Sequence, residues 1–386
     1  MKNLPFLVIL LFIVPLRAFA DGSEGEHAQE VATNYWSYGL VASVLILIVC
    51  VGLYVWTKRK ASSIGVKNKE DRELRKVLLG RATIYLWVAI AAVAATIVFL
   101  VLTNGTGSND QAQTGKVNFP DVHGLGYSND GEEIYVPAHD GLKVYKDGKW
   151  APSTTSEAND YMGFSMFKDG FYSSGHPGPG SDLANPLGII RSTDMGENME
   201  VLDLYKEIDF HGMTVGYETE DIYVFNPSEN SRMDQPGFFY SSDETKTWNQ
   251  AKLVGLEGQA TALAAHPTES GKVALGTKQG VYLSDNYGDD FQALAIQGPV
   301  TAVSFDFQGN LLVATAGGDL VQLNIASNET NQLVVPDLAE DVILYIQQNP
   351  VNKDELTFVT AEKDIYHSYD GGKTWEQSAD KGVALE

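Results

Sequence analysis

Three short stretches repeat one pattern of reactive residue types: Asp121-x-His123-Gly, Asp160-x-Met162-Gly and Asp209-x-His211-Gly. Two further histidines, His139 (followed by Asp140) and His176, each fall four residues beyond a tyrosine, Tyr135 and Tyr172. Three chemistries suit such a set. Imidazoles with carboxylates close by ligate Zn or Cu, and a thioether leans toward Cu(I), so His123, His139, Met162, His176 and His211 form a candidate metal set. Any two of Asp121, Asp140, Asp160, Asp182 and Asp209 could serve glycoside hydrolysis if held ~5–9.5 Å apart. The same histidines and methionine, with Arg232, could instead bind a ligand without turning it over. Against all three stands a structural reading. Asp-x-His/Met-Gly can be a repeated folding signal, the His or Met packing a wall and the Gly allowing close strand approach.

The elements that must position these residues recur. Starts at 121, 160 and 209 are followed by weaker copies, "QATALAAHP" at 259, "PVTAVSFDF" at 299 and "VILYIQQNP" at 342. Each start leads into a second strand ("EIYVPAH", "GFYSSGH", "DIYVFNP", "KVALGTK", "NLLVATA", "ELTFVTA"), then a third, a turn and a fourth. Four short β-branched and aromatic strands per repeat, punctuated by glycine, predict the blade of a β-propeller. The fold is read as all-β with six blades, a seventh remaining open, and "KVNF" (116–119) is expected to close the ring on the last blade. Strand alternation puts the first-strand starts and the second-to-third loops on one face, here the top. The long loops "GHPGPGSDLANP", which holds Asp182, and "NPSENSRMDQP", which holds Arg232, belong to that face, where binding on a rigid scaffold concentrates.

The third-to-fourth turns carry a second signature. Ser368-x-Asp370-x-Gly372-x-Thr374-Trp375 resembles the Asp box (BNR repeat) of sialidase-like and sortilin-like propellers. Decayed copies keep Ser241, Asp243 and Trp248, with Thr245 in place of glycine, and Ser192, Asp194 and Gly196; "SDNYGDDF" and "KDGKW" are weaker relatives. The resemblance covers about residues 116–386 and extends to exported bacterial propellers of glycosyl-hydrolase-like type. It implies a structural role for these residues, on the face opposite the histidines. Sialidases by resemblance clamp a carboxylate with three arginines, but residues 104–386 contain only Arg191 and Arg232, which excludes a sialidase proper. Sortilin-like relatives imply a binding module for a glycan, peptide or protein.

The remaining sequence places the domain. Of 27 Lys+Arg and 50 Asp+Glu, 11 and 7 fall in residues 1–103, which leaves a formal charge of −27 on residues 104–386 and argues against nucleic acid as a partner. Residues 1–20 read as a signal peptide ending in Ala18-Phe19-Ala20. A short extracytoplasmic segment (21–37) precedes uncharged runs at 38–56 and 82–103, each long enough to span a bilayer as a helix. The loop between them (57–81) holds nine Lys/Arg against three acids, and the positive-inside rule puts it in the cytoplasm. The expectation is a multi-pass cell-membrane protein with a polar linker (104–115) and a large extracytoplasmic domain (116–386). The single cysteine, Cys50, lies in the first apolar run and is expected to face lipid, so the exported domain has no disulfides.

Overall fold

The structure, a computed structural model, describes residues 25–65, 68–104 and 116–386. The signal-peptide and linker expectations lie outside the described residues. The chain divides into two compact units, the first ending at Thr114 and the second running from Gly115 to Glu386.

In the first unit, helices α1 (Gly25–Ser63) and α2 (Lys69–Asn104) are long and apolar enough to cross a membrane. Asn68 caps α2, its side-chain oxygen accepting from the Asp71 N–H at 2.8 Å, and Glu70 and Asp71 complement the positive end of the helix dipole. Lys60 does the converse at the end of α1. These end effects extend both helices well past the apolar runs. Most of the expected 57–81 loop is therefore helix, 57–63 in α1 and 69–81 in α2. Ser43, Cys50, Thr57 and Ala61 of α1 are buried, as are Ala82, Ala89 and Ala92 of α2. Small residues let two backbones approach closely, and the Ser43 and Thr96 hydroxyls hydrogen-bond across the seam at 2.9 Å. Cys50 thus lies in the helix seam and not against lipid as the sequence suggested.

The second unit holds six sheets, each a meander of antiparallel strands in chain order. Blade 1 comprises β1–β4 (Gly126–Tyr127, Ile134–Ala138, Gly141–Lys146, Lys149–Pro152). Blade 2 comprises β5–β8 (Asp160–Phe167, Gly170–His176, Ile189–Ser192, Glu200–Asp203) and blade 3 β9–β12 (Met213–Val215, Ile222–Asn226, Gly237–Ser241, Asn249–Gln250). Blades 4 and 5 are β13–β16 (Ala260–Ala265, Val273–Thr277, Gly280–Ser284, Gln292–Gln297) and β17–β20 (Val300–Phe305, Leu311–Thr315, Leu320–Asn324, Glu329–Leu333). Blade 6 is β21–β24 (Ile343–Gln348, Leu356–Thr360, Ile365–Ser368, Glu376–Asp380) with a fifth, two-residue strand, β25 (Val383–Ala384). The question of a seventh blade is settled at six. Second strands such as β2, β14 and β22 are buried along their whole length because a neighbouring blade covers each face. The outer strand β20 is polar and largely exposed, which guards a free edge.

The ring closes where 116–119 was expected to pair. Asn118 bridges Val383, the Phe119 N–H donates to the Gly382 carbonyl at 2.8 Å, and the Ala384 N–H donates to that of Val117 at 2.9 Å. Phe119 is buried edge-on against Trp150 at 4.9 Å. Deeper in this seam, His367 hydrogen-bonds Thr357 (2.9 Å) and Ser378 (2.7 Å) within blade 6. Tyr127 and Trp150 of blade 1 reach across to Thr357 (2.6 Å) and Ser378 (3.0 Å). A buried polar cluster with all partners supplied fixes one seating of the first blade on the last.

The Ser-x-Asp turns share one geometry. Ser192, Ser241, Ser284 and Ser368 each accept the N–H four residues on at 2.8–2.9 Å, and donate to Asp194, Asp243, Asn286 and Asp370. The fifth residue has a left-handed backbone in every case, glycine at 196, 288 and 372 but Thr245 (φ 65) in blade 3. The N–H groups of Trp248 and Trp375 donate to the preceding blade, at Asp203 (3.0 Å) and the Val334 carbonyl (2.6 Å). Hydrogen bonds from Thr374 hold the Asp370 carboxyl down to about 2, so it remains a turn-tying carboxylate.

Candidate functional site

All six innermost strands line one central channel of about 360 Å³, with His123 and His211 toward the end where the first strands start. Those strands are not regular. In blades 2, 4, 5 and 6 the first strand shifts register by one residue near its start, at Met162/Ser165, Ala260/Ala262, Val300/Ala302 and Ile343/Tyr345. Such bulges re-aim side chains at a rim. In blade 1, Val122 bridges Ala138 while the regular ladder resumes only at Gly126 and Tyr135, so His123 sits inside the irregular part.

The rim over blades 1–3 carries two carboxylate-centred groups. Asp160 opens β5, is buried, and reaches back to blade 1: its Oδ2 meets His139 Nδ1 at 2.9 Å and its Oδ1 lies 3.3 Å from His123 Nε2. Asp209, just before β9, reaches back to blade 2: its Oδ2 meets His176 Nε2 at 3.3 Å and also His211 Nε2 at 3.0 Å. The two groups are neighbours, since Asp160 and His176 face each other in the β5–β6 ladder. Asp121 repeats the backward reach more loosely, 3.9 Å from Lys363 of blade 6. The acid that starts a blade therefore meets a basic side chain from the second-to-third loop, or the second-strand end, of the blade before it.

The electrostatics of the second group are specific. His176 Nδ1 lies 2.6 Å from Asn185 Oδ1, an acceptor, while Nε2 faces Asp209. Both ring nitrogens must donate, which requires the imidazolium. The Asp209 hydrogen bond, against the opposing effect of burial, raises the His176 pKa to about 9. Burial pushes the Asp209 carboxyl up, but the bonds from His176 and His211 outweigh it and hold the group far below the usual carboxylate range.

The other candidates fall elsewhere. Met162 is fully buried beside Gly175, where an added Cβ would lie 2.9 Å from the Met162 nitrogen, and it packs the sheet without joining the histidines. Arg232 does not join them either. Its loop folds back along the blade edge, where the guanidinium meets Asp203 at 3.1 Å and donates to the Thr245 and Lys246 carbonyls at 2.9 and 2.7 Å. Asp140 is held by Lys143 at 2.6 Å, and Asp182 is exposed in its loop. The seam cluster of His367, Thr357 and Tyr127 was missed; its only trace in the sequence is a lone histidine in an alternating third strand.

No family of known proteins matches the chain, and no curated protein does. Among solved structures it is similar to a GH74 enzyme of Niastella koreensis (14% identity, TM-score 0.48), over 68% of this chain and 46% of that one. This chain thus spans about half the length of that enzyme. It is also similar to YCF48 bound to a D1 peptide (17%, TM-score 0.41, covering 69% and 85%) and to a luciferin-regenerating enzyme (13%, TM-score 0.44, covering 69% and 90%). At such identities these likenesses carry no argument about the site, and the six-bladed propeller stands on its own sheets.

Proposed function

We propose that the chain is a membrane-anchored propeller of the Asp-box kind that binds a glycan, peptide or protein ligand outside the cell, at the rim over blades 1–3. The observation that supports this most is the convergence of His123, His139, His176 and His211, spread over 89 positions of sequence, onto two adjacent carboxylates at one end of the channel. The alternative, glycoside hydrolysis, fits less well. It needs one carboxyl with a raised pKa as acid and a second free to attack or to activate water. Here Asp209 faces two imidazoles, Asp160 is hydrogen-bonded to His139 with His123 beside it, Asp140 holds a lysine, and Asp209 is displaced in the direction opposite to an acid's. A rim of fixed carboxylate–imidazole pairs suits orientation of polar groups more than proton transfer.

Glycan and peptide arrays probed with the full chain in detergent test this reading. The expected result is a signal that is lost in the Asp209→Asn variant and kept in Asp370→Asn, on the opposite face. Array signals indifferent to Asp209, or hydrolysis of the arrayed glycans, would overturn it. The anchoring half is tested separately: protease added outside spheroplasts is expected to degrade the propeller, and full protection would refute it.

A further inference from the structure

The geometry points to a Zn²⁺ site formed by His123, His139 and Asp160. It deepens the binding reading, and rests on it only in sharing the same rim. One ligand atom from each residue lies within 4.8 Å of the other two. A tetrahedral zinc with bonds of about 2.0–2.2 Å sets its ligand atoms roughly 3.3–3.5 Å apart. The 3.3 Å between His123 Nε2 and Asp160 Oδ1 already has that spacing, and His139 Nδ1 stands 2.9 Å from the other carboxylate oxygen. Asp160 is 5% exposed, and its Oδ1 accepts no hydrogen bond. A buried carboxylate oxygen aimed into a cluster without a proton to accept is costly, and a cation resolves the cost.

The neighbouring group explains why the site is this one. Both ring nitrogens of His176 are already engaged, Nδ1 at 2.6 Å from Asn185 and Nε2 at 3.3 Å from Asp209. Both imidazoles of that group also converge on a single oxygen, Asp209 Oδ2, whereas in the Asp160 group each imidazole faces its own. The donor set selects the ion. Two nitrogens and a carboxylate suit zinc; Met162, the thioether that would favour Cu(I), packs elsewhere. His139 is 62% exposed, which leaves the fourth position open to water or to an oxygen or nitrogen group of a bound ligand.

The test is zinc titration of the full chain in detergent, with stoichiometry from elemental analysis after dialysis. One zinc per chain is expected, with at least a tenfold weaker Kd in His139→Ala. That exposed histidine is replaceable without unfolding the domain, and a thermal melt checks this. His123→Ala is expected to weaken binding likewise, and His266→Ala, a buried histidine just after the end of β13 in blade 4, to leave it unchanged. Wild-type binding no tighter than that of the His123→Ala, His139→Ala double variant would overturn the site. Arrays run with and without EDTA separate the two readings. A Asp209-dependent signal that survives EDTA, with no zinc titration, leaves the binding module and removes the metal. Zinc binding without any array signal does the reverse.

Discussion

The Arg232 guanidinium donates to the carbonyl of Thr245 at 2.9 Å, bracing the one Ser-x-Asp turn whose left-handed fifth residue is not glycine. A threonine at φ 65 costs about 1–2 kcal/mol relative to glycine, and the arginine sits where the turn is weakest. Arg232→Ala is therefore expected to cost about 1–2 kcal/mol, since charge-assisted hydrogen bonds are worth roughly 1.5–3 kcal/mol and this one is partly exposed. That is a fall of about 2–8 °C in Tm for a domain of this size. Arg232→Lys is expected to recover little, because one ammonium cannot span two carbonyls and Asp203. A melt in which both variants match wild type would refute the bracing role.

Asp209 and His176 predict a coupled loss. Asp209→Asn strands an imidazolium that is only a quarter exposed, at an expected cost of about 2–3 kcal/mol, below the range for fully buried pairs. The Asp209→Asn, His176→Asn double variant is expected to regain most of it, because no charge is then left without its partner. Additive losses in urea denaturation would show that the pair is not coupled.

Legibility followed the physics of local pattern. Second and third strands could be read because each is a short β-branched run between glycines, and the Ser-x-Asp turns because their hydrogen bonds close within five residues. The backward reach of Asp160 and Asp209 could not, since it depends on how one blade is seated on the next. Nor could the bulges, in which a single extra residue leaves no mark on an apolar run. Met162 shares a motif with His123 and His211, yet Gly175 packs against it and it points into the sheet. Arg232 sits in a loop long enough to suggest the rim, and only the fold of that loop sends it outward. The charged stretches flanking the apolar runs read as loop, whereas an Asn68 cap and end charges keep them helical.

His367 predicts acid sensitivity. Burial alone lowers its pKa to about 4, against about 6.5 in an unfolded chain. The unfolded chain therefore binds the proton first, and stability present above about pH 6.5 is lost as pH falls toward 4. The full effect is about 3 kcal/mol. Urea midpoints of wild type and His367→Gln, compared at pH 7 and pH 4.5, check this: the variant is expected to start lower and fall less. Parallel slopes would contradict it.

Phe119 precedes the first strand of blade 1, yet it is 1% exposed. Phe119→Ala is expected to cost about 3–5 kcal/mol, as for any core aromatic. Removing 116–119 altogether is expected to leave the β25 edge bare and the domain prone to self-association, seen by light scattering. A monomeric, equally stable truncated chain would refute the closure.

Residues 117–119 and β25 run antiparallel side by side, so the propeller is a circle that happens to be nicked at one place. Where the nick falls is arbitrary to the fold. A gene rearranged to join 384 to 117 through a short turn, and opened instead between Gly317 and Gly318 in the exposed β18–β19 connection, encodes the same ring with its ends on blade 5. The point of tethering is thus an independent variable, and the six blades form a platform that could be mounted from another blade with the rim over blades 1–3 unchanged.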